Sequence, residues 1–98
     1  ALESISRINA DLFFMGVTGV HPRAGFSTGD YEEAGIKRAL ATRAAETVVM
    51  ASQEKLNSAS AFAIGGLGLV STLIVDTTLD ETLRQQLAID GVEIVCAG

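Results

Sequence analysis

Along this chain, short apolar runs alternate with stretches whose apolar positions recur every three or four residues, and that alternation predicts the elements. Asp11 leads into Leu12, Phe13, Phe14, Met15, Gly16 and Val17. So short and nearly continuous an apolar run reads as a buried parallel strand, covered on both faces. Thr47 to Ala51 is a β-branched run and a second strand. Ser71 to Val75 is a third, ending at Asp76, and Val92 to Cys96 is the last. Ala59 to Gly68 is ambiguous: Phe62 and Ile64 fit a short strand before the glycine cluster Gly65, Gly66 and Gly68.

Helical spacing fills the intervals. Leu2, Ile5 and Ile8 read as the last turns of a helix. Asp30 is placed to cap the next one, with Glu33 three residues on as its capping-box partner. Ile36, Leu40 and Ala44 form its predicted stripe, widened by Ala39 and Ala41. Thr78 and Glu81 form a second capping box, ahead of Leu79, Leu83 and Leu87, and Asp90 with Gly91 makes the following turn. Gly16 to Gly29 reads as a glycine-punctuated loop that holds the only proline, Pro22, and the only histidine, His21. Ser52 to Ser58 is a polar stretch. Strands alternating with helices predict an α/β fold, a mostly parallel sheet flanked by helices. No repeat, low-complexity tract or flexible linker interrupts it.

Composition narrows the function classes. Of 98 residues, 48% are apolar but only 5% aromatic, so Ala, Val, Ile and Leu carry the packing. That excludes disorder, which goes with low hydrophobicity and high net charge. The formal charge is -5, and the seven Lys and Arg are scattered, with only Lys37 and Arg38 adjacent. A duplex-binding patch driven by counterion release is not expected. Cys96, the one cysteine, allows no disulfide within the chain and reads as a small buried hydrophobe, which fits a reducing cytoplasm. The longest apolar stretch, Ala59 to Val75, carries three glycines and two serines and reads as sheet and turn, not as a membrane span. The sequence opens at Ala1 in the middle of a helical pattern, from which we expect a piece of a longer protein.

Ligands of open α/β sheets bind beyond the carboxyl ends of the strands. Three segments therefore carry the candidate chemistry: Gly16 to Thr28, Ser52 to Ser58 and Asp76 to Thr78. Gly16, Gly19 and Gly25 permit close backbone approach to an anion. Thr18, Ser27 and Thr28 offer hydroxyls, and Lys55 offers a positive charge to a phosphate. Each has a purely structural alternative: glycines as turn residues, Lys55 as a solvated surface lysine, and Ser27 and Thr28 as preparation for the helix start. His21 beside Pro22 reads as an exposed turn residue. No second His or Cys is spaced for a metal, and no nucleophile elbow, P-loop or paired-cysteine motif is present. Glu33 is first a capping residue and second a candidate acid or base. The residues alone lead to an α/β domain suited to a small anion.

The ordered set of motifs goes further. Gly16-Val17-Thr18-Gly19-Val20-His21, Gly25-Phe26-Ser27-Thr28, Glu33-Ala34-Gly35-Ile36-Lys37 and Ala51-Ser52-Gln53-Glu54-Lys55 occur in that order. Leu73-Ile74-Val75-Asp76 and Gly91-Val92-Glu93-Ile94-Val95 follow. The whole resembles the C-terminal effector domain of DeoR-family transcriptional repressors. The resemblance implies a ribose-5-phosphate isomerase or CoA-transferase-like fold and a phosphorylated sugar or related metabolite as effector. It also implies an upstream winged helix-turn-helix domain, so that residues 1–98 would be the C-terminal part of the sensor, reaching DNA only through that domain. It implies a homo-oligomeric, cytoplasmic repressor with no membrane partner, no cofactor and no enzymatic activity. Carried over by position, Gly16, Thr18 and Gly19 would line the sugar pocket, Lys55 would contact the phosphate, and Glu33 and Lys37 would lie on the helix beside it. Thr28 and Ser52 join them as candidate ligand-binding residues.

The sequence departs from the family pattern at Thr18, His21 and Ser52, where acidic or amide residues are usual. Hydroxyls still hydrogen-bond a sugar but are far weaker bases. That argues against the first rival reading, a sugar-phosphate isomerase, for which Glu33 is the one candidate base. The second rival is an oligomerisation module with a degenerate pocket.

Overall fold

The structure, a computed structural model, describes residues 10–97. The helix expected over Leu2 to Ile8 lies outside them. In chain order the elements are β1 (Ala10–Met15), β2 (Gly19–His21), β3 (Gly25–Thr28), α1 (Tyr31–Arg43), β4 (Ala44–Ala51), β5 (Phe62–Gly65), β6 (Thr72–Val75), α2 (Glu81–Ala88) and β7 (Glu93–Cys96). Single 3-10 turns occupy Gln53–Lys55 and Leu67–Leu69.

Four strands form a wholly parallel sheet in the order β1-β4-β6-β7, as the α/β reading expects. Each strand joins on the same side of its predecessor. Crossovers between parallel strands are right-handed, so a run in one direction puts every connection on the same face of the sheet. Burial follows. Met15, Thr47, Val49, Ala51, Leu73, Val75 and Ile94 are buried beneath the connecting elements, which contribute Phe26, Ile64 and Leu87. The opposite face carries exposed Leu12, Phe14, Met50 and Val95, with Val48 and Ile74 half-buried among them. Phe14 and Met50 are each 64% exposed. The first strand is therefore not covered on both faces as predicted. It is an edge strand with one buried side.

The stretch from Gly16 to Gly29 is also more than a loop. It holds the β2-β3 hairpin, which joins β5 in a second, antiparallel sheet of three strands. Val20 and Phe26 are fully buried there. His21 is half-buried and closes the hairpin: its Nδ1 accepts the backbone N–H groups of Arg23 at 3.0 Å and Ala24 at 3.2 Å. Gly25 has φ +72, and a Cβ there would lie 2.3 Å from the carbonyl oxygen of Gly65. Only glycine suits both the left-handed backbone and the close approach of β3 to β5.

Helix α1 starts where expected, with Asp30 Oδ1 accepting the N–H of Glu33 at 3.0 Å. Its buried side is not the predicted stripe. Ala34 and Ala41 are buried, Ile36 and Leu40 flank them half-buried, and Ala44 already belongs to β4. Small side chains at the contact let the helix lie close to the strands beneath it. Helix α2 is capped by Asp80, whose Oδ1 accepts the N–H of Leu83 at 2.9 Å, and not by Thr78. Leu87 is fully buried, with Leu79 and Leu83 packed beside it as the stripe predicts. Cys96 departs from expectation too. It is exposed at the end of edge strand β7, with the guanidinium of Arg84 reaching its sulfur at 3.6 Å.

The two faces of the sheet should respond differently to substitution. Leu73→Ala removes a fully buried side chain and should cost about 2–5 kcal/mol in urea unfolding. Met50→Ser, on the open face, should change stability by less than about 1 kcal/mol. Equal losses would contradict this assignment of faces.

Candidate functional site

The carboxyl ends of the parallel strands carry two separate depressions. The first, of about 410 Å³, lies beyond β1 against the start of α1 and is lined by Gly16, Val17, Thr18, Thr28, Gly29, Asp30, Glu33 and Lys37. The second, of about 310 Å³, lies beyond β4 and β6 and is lined by Met50, Ala51, Ser52, Lys55, Ile74, Val75, Asp76 and Ala97. The sequence-derived candidates divide between them. Gly16, Thr18, Thr28, Glu33 and Lys37 meet at the first; Ser52 and Lys55 meet at the second. Gly19 lines neither.

In the first depression the cation is already held. Lys37 Nζ donates to the carbonyl oxygen of Gly16 at 2.7 Å and lies 3.5 Å from Glu33 Oε1. An ammonium has three donors, so a further one remains for a ligand. Thr18 is fixed from two sides: its N–H donates to the Ser27 carbonyl at 2.9 Å, and its hydroxyl shares a short hydrogen bond with that of Ser60. Ser27, buried, accepts the N–H of Ser60 through its own hydroxyl at 2.8 Å. Gly19 sits under this network. A Cβ there would fall 2.6 Å from Ser27 Oγ and 2.7 Å from the Ser58 carbonyl oxygen. Its smallness serves the packing of the small sheet against the chain at Ser58.

The second depression is built on the 3-10 turn after β4. The turn closes through the N–H of Lys55 to the Ser52 carbonyl at 3.0 Å. The small sheet then anchors it: Leu56 bridges to Val20, and the N–H of Ser58 donates to the Val20 carbonyl at 3.2 Å. Asn57 accommodates the bend at φ 56, a conformation asparagine tolerates better than most residues. Ser52 Oγ donates to Glu54 Oε1. That bond, aided by a backbone N–H and the nearby charge of Lys55, holds the Glu54 carboxyl below its ordinary range. The ammonium of Lys55 itself has no hydrogen bond or ion pair among the described residues, which leaves its charge available.

A larger recess, of about 650 Å³, opens elsewhere, between α1 and β5. Tyr31 and Phe62 meet edge to face there at 5.7 Å. It lies away from the strand ends, and the guanidinium of Arg38 is spent on the carbonyls of Ala63 and Ile64. Among the described residues, no cluster of three His, Cys, Asp or Glu is placed to hold a metal ion. No helix there is long and apolar enough to cross a membrane. Sequence reasoning did not foresee Ser60 as the partner of Thr18, which lies 42 residues away in the chain. The place of Asp76 beside Lys55 was signalled only by its position at the end of an apolar strand.

A parallel sheet with hydroxyls, a carboxylate and cations at its carboxyl edge defines an α/β domain able to receive a small polar ligand. Residues 1–77 match the DeoR C terminal sensor domain, and the chain belongs to that family. It is 31% identical over 91 residues to the HTH-type transcriptional regulator GlpR of Haloferax volcanii, covering 93% of this chain and 36% of that protein. It is likewise 31% identical over 91 residues to the HTH-type transcriptional regulator FruR of Bacillus subtilis, covering 93% of this chain and 34% of the relative. The chain thus spans about a third of the length of the curated relatives it matches. Both relatives carry the name of transcriptional regulators.

Two substitutions test this geometry. Ser52→Ala removes the hydroxyl that holds the Glu54 carboxyl down, so the pKa of Glu54 should rise toward 4.5 in an NMR titration; an unmoved titration would show that the hydroxyl is not the cause. Gly19→Ala should destabilise the chain by about 1–3 kcal/mol through overpacking, and wild-type stability by thermal melting would refute the crowding described.

Proposed function

We propose that this chain is the ligand-sensing part of a DeoR-type transcriptional repressor that responds to a phosphorylated sugar or related metabolite. The observation that carries it is Lys55. Its backbone is pinned by the turn and the small sheet, while its ammonium, which has no hydrogen bond or ion pair among the described residues, lines the depression with a hydroxyl and a carboxylate at the carboxyl edge of the sheet. A pre-positioned cation among hydroxyl-binding groups suits a phosphate joined to a polyol. Lys37, Thr18, Thr28 and Gly16 line the first depression and offer a second set of polar contacts.

Regulation then follows from linkage. The ligand must bind two arrangements of the intact repressor with different affinity, and the difference is what reaches the DNA-binding domains. In this reading the rest of the polypeptide carries the helix-turn-helix, the repressor is a homo-oligomer, and it works in the cytoplasm without a cofactor.

Thermal unfolding against a panel of sugar phosphates, with the free sugars and inorganic phosphate as controls, tests the proposal. A ligand at 100 times its dissociation constant should add about 2.7 kcal/mol of stability. The shift should be absent with the free sugar and strongly reduced in Lys55→Ala. A sugar phosphate that stabilises wild type and Lys55→Ala equally would remove Lys55 from the site, and no response to any member of the panel would count against the ligand class.

A further inference from the structure

We infer that Asp76 is the hydroxyl-binding and ligand-selecting residue of the second depression, so that the pocket recognises a polyol monophosphate and discriminates against free phosphate. This rests on the sensor reading above and deepens it. Asp76 follows the last residue of β6, and Val75 is paired with Ala51 at the end of β4. That register brings the two strand ends side by side, so that Asp76, Ser52 and Lys55 line one depression. Exposed Met50 and half-buried Ile74, from the open face of the sheet, give its lining an apolar part that suits the C–H face of a sugar or polyol chain.

The other carboxylates near this edge are engaged. Asp30 accepts the N–H of Glu33, Glu33 faces Lys37 at 3.5 Å, and Glu54 accepts the hydroxyl of Ser52. Asp76 is exposed, and its side chain has no hydrogen bond or ion pair among the described residues. An ionised carboxylate only accepts, and its two oxygens suit two neighbouring hydroxyls. The same charge repels a phosphate dianion, so it must act where the hydroxyls bind while Lys55 takes the phosphate. Attraction for one part of a ligand and repulsion of a competitor together give selectivity. Ser52, the hydroxyl residue of the same depression, cannot supply an anionic acceptor, and Asp76 does.

The test compares the wild-type chain with Asp76→Asn and Asp76→Glu by isothermal titration, using fructose 1-phosphate, glucose 6-phosphate, glycerol 3-phosphate and inorganic phosphate as probes. Circular dichroism confirms the fold of each variant, which an isosteric change at an exposed position should leave intact. For whichever polyol phosphate binds wild type, Asp76→Asn should lose about tenfold or more in affinity, the range of a hydrogen bond to a charged group. Binding of inorganic phosphate should hold or strengthen, and Asp76→Glu should recover part of the loss. Unchanged polyol phosphate affinity in Asp76→Asn, or an equal loss for polyol phosphate and phosphate, would overturn the inference while leaving the sensor reading in place. A wild-type chain that binds none of the probes would overturn both.

Discussion

Helix α1 rests on two sheets at once, and two neighbouring cations hold it there. Lys37 donates to the carbonyl of Gly16 at the end of β1, in the parallel sheet. Arg38, the next residue, donates to the carbonyls of Ala63 and Ile64 on β5, in the antiparallel sheet. Successive side chains on a helix diverge by about 100°, so adjacent positions can reach different partners where a single stripe would serve only one. The buried alanines, Ala34 and Ala41, bring the helix close enough for both reaches. A charged donor satisfies a carbonyl more strongly than a neutral one. The position of β1's end relative to the small sheet, and with it the first depression, follows from this double anchor.

The small sheet in turn positions the rest of the carboxyl edge. It supplies Ser27 to the Thr18 and Ser60 network, and Val20 to the chain after Lys55. Candidate residues separated by more than thirty positions thereby come to one side of the molecule. The two depressions remain distinct, yet both are framed by strands of the parallel sheet and buttressed by the same hairpin.

Much of this was legible in the sequence, and the exceptions have physical reasons. The parallel strands announce themselves as apolar runs, and Leu79, Leu83 and Leu87 announce the inner side of α2. The strands β2 and β3 do not, because three or four residues of Gly, Val, Phe, Ser and Thr among turn formers show no period. The stripe of α1 misleads because alanine makes the tight contact while the larger Ile36 and Leu40 lie to its flanks. Asp80 outcompetes Thr78 as a cap, a contest between two adequate capping residues that spacing alone does not decide. Cys96 looks buried by pattern but sits where the edge strand runs past its cover. The kinds of groups at the site could be read from their places after strands. Whether each was free could not, since the engagement of Lys37 and the openness of Lys55 depend on distances across the fold.

The uncovered face of the parallel sheet bears on how this chain behaves at the bench. Leu12, Phe14, Met50 and Val95 present apolar surface to water on one side. Sulfate and phosphate strengthen the burial of such surface because they are excluded from it. In concentrated solutions of either salt, sheet would tend to meet sheet, and heat or light scattering would report chains associating instead of an anion entering a pocket. Chloride buffers at modest ionic strength keep the two processes apart. The solvent chosen thus decides which surface of the molecule a titration interrogates.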